Sequence, residues 1–114
     1  TIICAAECRD GIPNHGPYGE LLTTRNSARE LLVMIMTPGF SRADQWQVQI
    51  QAQIQLKARV LVKADGLSTE QLRAGNFDPL EDVSAGVKDA LDAAGPGARL
   101  CVLPQGPQTV PYLR

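Results

Sequence analysis

The chain has 114 residues, of which 44% are apolar and 20% are charged, and its formal net charge is −1. This size fits one domain with one core, and the apolar content predicts a folded chain. The charge gives no basic excess for neutralising phosphates, which argues against nucleic-acid binding, and no apolar run approaches the ~20 residues of a membrane span.

The chain begins inside an apolar run, TIICAAE, which predicts a short buried strand over residues 1–7 and suggests a piece of a longer protein. Three cysteines occur, Cys4, Cys8 and Cys101, without the spacing of a zinc or redox pair. An odd number of this kind predicts reduced thiols and a cytoplasmic protein. We expect Cys4 and Cys101 to be buried structural thiols.

The segment CRDGIPNHGPYG is rich in Gly, Pro, Asn and Asp and predicts a loop. This opening loop and the residue before it carry Glu7, Asp10 and His15, the only histidine of the chain. These three side chains fit a metal site or an acid/base pair, or else a polar loop with local backbone hydrogen bonds. Its prolines remove the backbone donors that a phosphate cradle needs.

Two helices are predicted next, after a short one in YGELLTT. The first begins at Asn26 or Ser27, where Glu30 completes a capping box, and ends at PG. The second is the segment DQWQVQIQAQIQLKARV, in which glutamine and apolar residues alternate without a charge between Asp44 and Lys57. As a strand this alternation would be unusually long, so we predict a helix over residues 42–57, capped by Ser41 and packed between layers.

The remaining elements alternate between strand and helix. Residues 59–64 predict a strand, GLSTEQLRAGN a short helix capped by Ser68, and PLEDVSAGVKDALDAAGPG an amphipathic helix with Val83, Val87 and Leu91 on one face. Residues 98–104 predict a further strand before a Pro/Gly-rich tail. Helical connections between buried strands imply a small three-layer α/β domain, Rossmann-like, with a mostly parallel sheet and helices on both faces.

The uncharged glutamine face is unusual because an exposed helix face normally carries Lys, Glu or Arg. Amides suit a surface that contacts another domain, a closed cleft or a polar substrate. Trp46 and Lys57 frame this face. Lys57 is either a cation favoured by the helix dipole or a group that binds an anion.

Three stretches in this order, AAECRDGIPNHGPYGELL, DQWQVQIQAQIQLKARV and VLPQGPQTVPYL, resemble the C-terminal domain of the nickel-dependent lactate racemase family. The resemblance covers nearly the whole chain. It implies that residues 1–114 form a single domain, the C-terminal domain or part of it, of a two-domain enzyme. The larger amino-terminal domain of that family carries the acid/base histidines, the nickel ligand and the lysine that holds a nickel-pincer nucleotide.

The reaction that the resemblance implies is inversion at the carbon of a small 2-hydroxy acid. This domain would close over the cleft and contact the substrate, without a catalytic residue or a metal ligand of its own. The cleft-facing residues implied on the helix are Asp44, Gln45, Trp46, Gln49 and Lys57, and those in the cleft loops are Glu7, Asp10, Gly11, His15, Gln105, Gly106 and Thr109.

The expected partners are the amino-terminal domain of the same chain and the 2-hydroxy acid, with no nucleic acid and no membrane. Alone, these residues should fold but bind no nickel and racemise nothing. The alternative reading is a non-catalytic Rossmann-like module that binds a ligand or another protein.

Overall fold

The computed structural model describes residues 1–13 and 16–109. In chain order the elements are β1 Ile2–Ala6, α1 Tyr18–Leu22, α2 Ala28–Ile35, α3 Gln45–Gln55, β2 Val60–Ala64, α4 Thr69–Ala74, β3 Asp78–Pro79, α5 Val83–Ala94 and a 3₁₀ helix, Gly106–Gln108.

The three strands form one parallel sheet in the order β1-β2-β3. The register pairs Ile2 with Val60 through Ala6 with Ala64, so β1 and β2 match along their full length. Parallel neighbours require crossover connections, and here α1–α3 join β1 to β2 while α4 joins β2 to β3. The predicted α/β class with a parallel sheet is confirmed.

Helices cover both faces of the sheet. Ile3 and Ala5 of β1 face α5 across a cleft, whereas Ile2 and Val60 point to the opposite side, towards α3. This follows from the period of two along a strand, which sends successive side chains to opposite faces. The result is the predicted three-layer arrangement.

Two strand predictions need correction. The third strand is the two-residue β3, where Leu61 pairs with Asp78 and Val62 with Pro79. Strand propensity does not predict it, because it is very short and contains a proline. Residues 98–104 do not form a strand. They lie along β1 and α5 outside the sheet, with Leu100 and Val102 exposed. β-propensity describes the fit to a pleated, half-buried surface, and these side chains have no such surface.

The main core lies among the first three helices. Leu31 and Val48 are completely buried there, and the other buried members are Leu21, Leu22, Ala28, Ile35 and Ala52. A smaller cluster of Val62, Ala64 and Leu72 lies between β2 and α4. Phe77 packs against both clusters and joins the helical layer to the sheet.

The helix over the alternating segment is confirmed, although it is shorter than predicted and differs at its start. Ser41 is not the cap: the N-cap is Asp44, which has a positive φ of 60°. The helix is also not packed on both sides. Val48 and Ala52 are buried, whereas Trp46, Ile50 and Ile54 are 60%, 50% and 41% exposed. The predicted cap at Ser68 is present, and of the two caps considered for α2 the structure has Ser27.

Candidate functional site

The start of α3 is held by its own polar side chains. The Gln45 Oε1 accepts a hydrogen bond of 2.7 Å from the backbone N–H of Arg42. The Gln47 amide donates to Asp44 Oδ1 at 3.4 Å. Asp44 tolerates its left-handed backbone because a short polar side chain can bond locally. Two of the predicted site residues, Asp44 and Gln45, therefore shape the turn into the helix.

The opening loop and α1 meet this same end of α3. A side chain at Gly16 would come within 3.2 Å of Asp44 Oδ2, so the end of the loop passes directly beside that carboxylate. Arg42 forms an ion pair of 3.2 Å with Glu20 of α1. The structure thus brings the end of the opening loop and the amino end of α3 into one place.

Two glutamines in the second half of α3 bind backbone carbonyls. The Gln51 amide donates to Gly75 O at 3.2 Å, and the Gln55 amide donates to Gly75 O and Asn76 O at 3.3 and 2.8 Å. Tyr18 completes the arrangement by donating its hydroxyl to Gln51 Oε1 at 2.9 Å. We call Tyr18, Gln51, Gln55, Gly75 and Asn76 the amide clasp.

The amide clasp explains in part why no charged residue lies between Asp44 and Lys57. A glutamine can donate to a carbonyl and accept from a hydroxyl at the same time, whereas a carboxylate can only accept. Gln51 and Gln55 therefore hold the turn between α4 and β3 against α3. Within the clasp, burial raises the pKa of the Tyr18 hydroxyl above its ordinary value of 10.0.

The remaining predicted residues lie along α3 and just past its end. Trp46 is exposed and Gln49 is half-buried. Lys57 is exposed and lies just past the carboxyl end of the helix, where its N–H donates to Ile54 O. Eleven residues separate Trp46 from Lys57, which corresponds to about 16 Å along a helix axis. Trp46 and Lys57 therefore belong to opposite ends of α3.

The first part of the opening loop is exposed and folds on itself. Glu7 forms an ion pair of 2.9 Å with Arg9, Asp10 is exposed, and Gly11 donates its N–H to Cys8 O. Gly66 donates its N–H to Glu7 O at 2.8 Å. A side chain at Gly66 would overlap Cys8 O, so the loops after β1 and β2 need glycine to come this close. His15 lies outside the described residues.

The closing segment has local contacts. Gln105, Gly106 and Thr109 are exposed, and Thr109 donates its hydroxyl to Gln105 O at 3.0 Å and its N–H to Gly106 O. These bonds form the 3₁₀ turn that precedes the end of the described chain. They do not join the closing segment to the opening loop or to α3.

No group of three or more His, Cys, Asp and Glu side chains in residues 1–13 and 16–109 is arranged to hold a metal ion. Cys4 and Cys101 are exposed, so the expectation of buried structural thiols was wrong. Cys4 lies on β1, which pairs with β2 alone, and Cys101 lies in residues 98–104, which remain outside the sheet. Each thiol therefore lacks a neighbouring strand on one side. No helix of the same described residues is long and apolar enough to cross a membrane.

Sequence reasoning missed two features of this site. It did not identify Tyr18 as a partner of α3, because the two lie 33 residues apart in sequence. It also expected α3 to be packed between layers, whereas Trp46, Ile50 and Ile54 are exposed. A hydropathy pattern shows which residues share a face and leaves open what covers it.

A comparison with protein families matches residues 1–110 to the family described as the lactate racemase C-terminal domain. The chain belongs to this family. Among curated proteins, the lactate racemase of Thermoanaerobacterium thermosaccharolyticum is 27% identical over 108 residues, which are 93% of this chain and 25% of that protein. The chain therefore spans about a quarter of the length of that relative. No solved structure matches the chain.

Proposed function

We propose that this lactate racemase C-terminal domain serves a 2-hydroxy acid racemase or epimerase that uses a nickel-pincer nucleotide, and that it closes over a cleft formed with the amino-terminal domain. The observation that carries the proposal is the family match over residues 1–110. The polar, uncharged amino half of α3 supports it, because such a wall can meet an anionic substrate without repelling it.

The nickel cofactor does not fit the described residues of this chain. They offer no cluster of His, Cys, Asp and Glu side chains that would ligate it. In the proposal the amino-terminal domain holds the cofactor, and we derive no step of the reaction through it. What this chain contributes is binding, orientation and the exclusion of water.

The proposed cleft wall is centred on Trp46. Asp44 and Gln45 fix the turn before it, and Gln49 follows one helical turn later. The Trp46 ring would exclude water, and the Gln49 amide would offer one acceptor and two N–H donors to the hydroxyl or carboxylate of a substrate. Lys57 is too far along the helix to reach the same small molecule, so we propose that it interacts with the dipole at the end of α3.

The loops keep the roles that the family resemblance implies. We propose that Glu7, Asp10, Gly11 and His15 line the cleft beside the start of α3, supported by the approach of Gly16 to Asp44. For Gln105, Gly106 and Thr109 the support is the family match alone. A cytoplasmic location is part of the proposal and agrees with three cysteines that form no disulfide.

The test is a charge placed on the proposed wall of the full-length enzyme. Gln49→Glu should lower kcat/KM for lactate racemisation by about tenfold or more, because a carboxylate there must be desolvated and would repel the substrate. The control is Gln71→Glu. Gln71 Oε1 accepts the N–H of Ser68 in a capping box, and a carboxylate accepts equally well.

Equal and small effects of the two substitutions would remove Gln49 from the cleft wall. A full-length protein that is loaded with cofactor and racemises no 2-hydroxy acid would refute the enzyme proposal and leave the non-catalytic binding module. The 114-residue chain alone should show no racemisation, because the proposed catalytic groups lie in the other domain.

A further inference from the structure

The outer face of α3 is an exposed apolar stripe made of Trp46, Ile50 and Ile54, spaced by four residues. It borders a groove of about 460 Å³ between α3 and the sheet. The apolar and aromatic side chains of this α3 groove are Ile2, Tyr18, Trp46, Ile50, Ile54, Val60 and Phe77. Contiguous exposed apolar surface of this kind marks an interaction site rather than ordinary solvent-facing helix.

The other faces of α3 already have partners. Val48 and Ala52 pack in the helical core, and Gln51 and Gln55 bind the carbonyls of Gly75 and Asn76. The stripe is the apolar part of what remains, beside the glutamines Gln49 and Gln53, and no charged residue lies between Asp44 and Lys57. A partner that fits it must be apolar at its centre, because a charge inserted there would be desolvated without an opposite charge.

We infer that the α3 groove is the docking surface for the amino-terminal domain of the same protein. The matched region is 25% of the lactate racemase relative, so a chain of that kind holds a larger domain beside this one. In such a protein the polypeptide enters β1 at Ile2, which is itself part of the groove. The covalent link therefore holds the partner at high effective concentration next to this surface.

With the amino-terminal domain docked in this way, α3 has two parts with different surroundings. Ile50, Ile54 and Ile2 form the docked part, whereas Trp46 lies at the boundary where docked surface gives way to the proposed cleft. Trp46 and Ile54 are eight residues apart, about 12 Å along the helix. The inference deepens the proposed function and rests on it for the identity of the partner domain.

The test measures side-chain accessibility in the full-length protein by hydroxyl-radical labelling and mass spectrometry. Trp46 should be labelled slowly, and Ile50→Asp should increase its labelling several-fold because an aspartate in the groove separates the domains. Val33→Asp is the matched control: Val33 is 66% exposed on α2, and the substitution should leave Trp46 labelling unchanged. Ile54→Ser is a second, milder variant if Ile50→Asp does not fold, and it should also increase the labelling.

The inference is overturned if Trp46 is labelled at the same rate in all these proteins. It is also overturned if protection of Trp46 depends on protein concentration, because the occupant is then a second copy. Racemisation measured on the same samples separates this result from the proposed function. Normal activity with an open groove removes docking alone, whereas a closed groove without activity removes the enzyme and keeps the docking surface.

Discussion

The two sides of this domain differ in how completely they are closed. Between α1, α2 and α3, Leu31 and Val48 have no exposed surface. On the opposite side, α5 buries only Gly86 fully, and four of the five residues of β1 are exposed. A helix buries an apolar stripe made of residues that are close in sequence. A strand needs neighbouring strands that are distant in sequence. The closed side is therefore the part that this chain builds from local patterns.

The largest expected effect is a cavity in the closed side. Leu31→Ala should lower the free energy of unfolding by about 2–5 kcal/mol, because the surrounding helices cannot collapse into the space. Ile3→Ala, at a half-buried side chain that faces α5 on the open side, should cost less than half as much. Urea denaturation of both variants measures the difference. Equal costs would mean that the sheet side is as tightly closed in solution as the helical side.

A smaller effect is expected where the amide clasp joins α3 to the turn between α4 and β3. Gln55→Glu removes the donor to Gly75 O and Asn76 O and places a carboxylate beside those carbonyls, at a cost of about 1–3 kcal/mol. Gln53→Glu adds the same charge to an exposed position of α3 and should change stability by less than about 0.5 kcal/mol. Similar unfolding midpoints for the two variants would contradict a structural role of the clasp.

The smallest effect is a pH dependence at Tyr18. Burial raises the pKa of its hydroxyl in the folded state above 10.0, so the unfolded chain loses this proton first as the pH rises. The contribution of Tyr18 is complete below pH 10.0 and is lost as the pH rises through the higher folded pKa.

Tyr18→Phe should therefore flatten the fall of stability above that pH. It should also cost about 0.5–1.5 kcal/mol at neutral pH through the lost bond to Gln51. Denaturation of both proteins at a series of pH values measures both effects. Parallel curves above pH 10.0 would show that the Tyr18 hydroxyl is not buried.

Much of the fold was accessible from the sequence because its signals are local. Ser68 caps α4 as predicted, and Ser27, one of the two caps considered for α2, caps that helix. The glutamine content outweighed the period-2 alternation in α3. One error is local, because Asp44 and not Ser41 caps α3. The errors about strands involve relations between distant residues. β3 exists because Asp78 and Pro79 reach β2, and residues 98–104 lack the neighbours that would make them a strand.

The same distinction between local and distant relations applies to the candidate site. The resemblance implies a cleft-facing role for Asp44, Gln45, Trp46 and Gln49, and this role stays a prediction; the structure places the four residues at the amino end of α3. The helix predicted over residues 42–57 already put Lys57 at its carboxyl end, and in the structure Lys57 lies just past the end of α3. The amide clasp required knowledge that the α4–β3 turn reaches α3.

The register of the sheet also sets an order of events during synthesis. β1 pairs with β2 through residues as far apart as Ile2 and Val60. At about 5–20 residues per second, a ribosome needs roughly 3–12 s to make β2 after β1 has been made. During that interval the uncharged strand IICAA has no partner in the sheet. The segments of α1 and α2 are synthesised sooner, and their contacts with each other can form early. In the proposed two-domain enzyme the amino-terminal domain is made first, and it would shield β1 from intermolecular pairing during this interval.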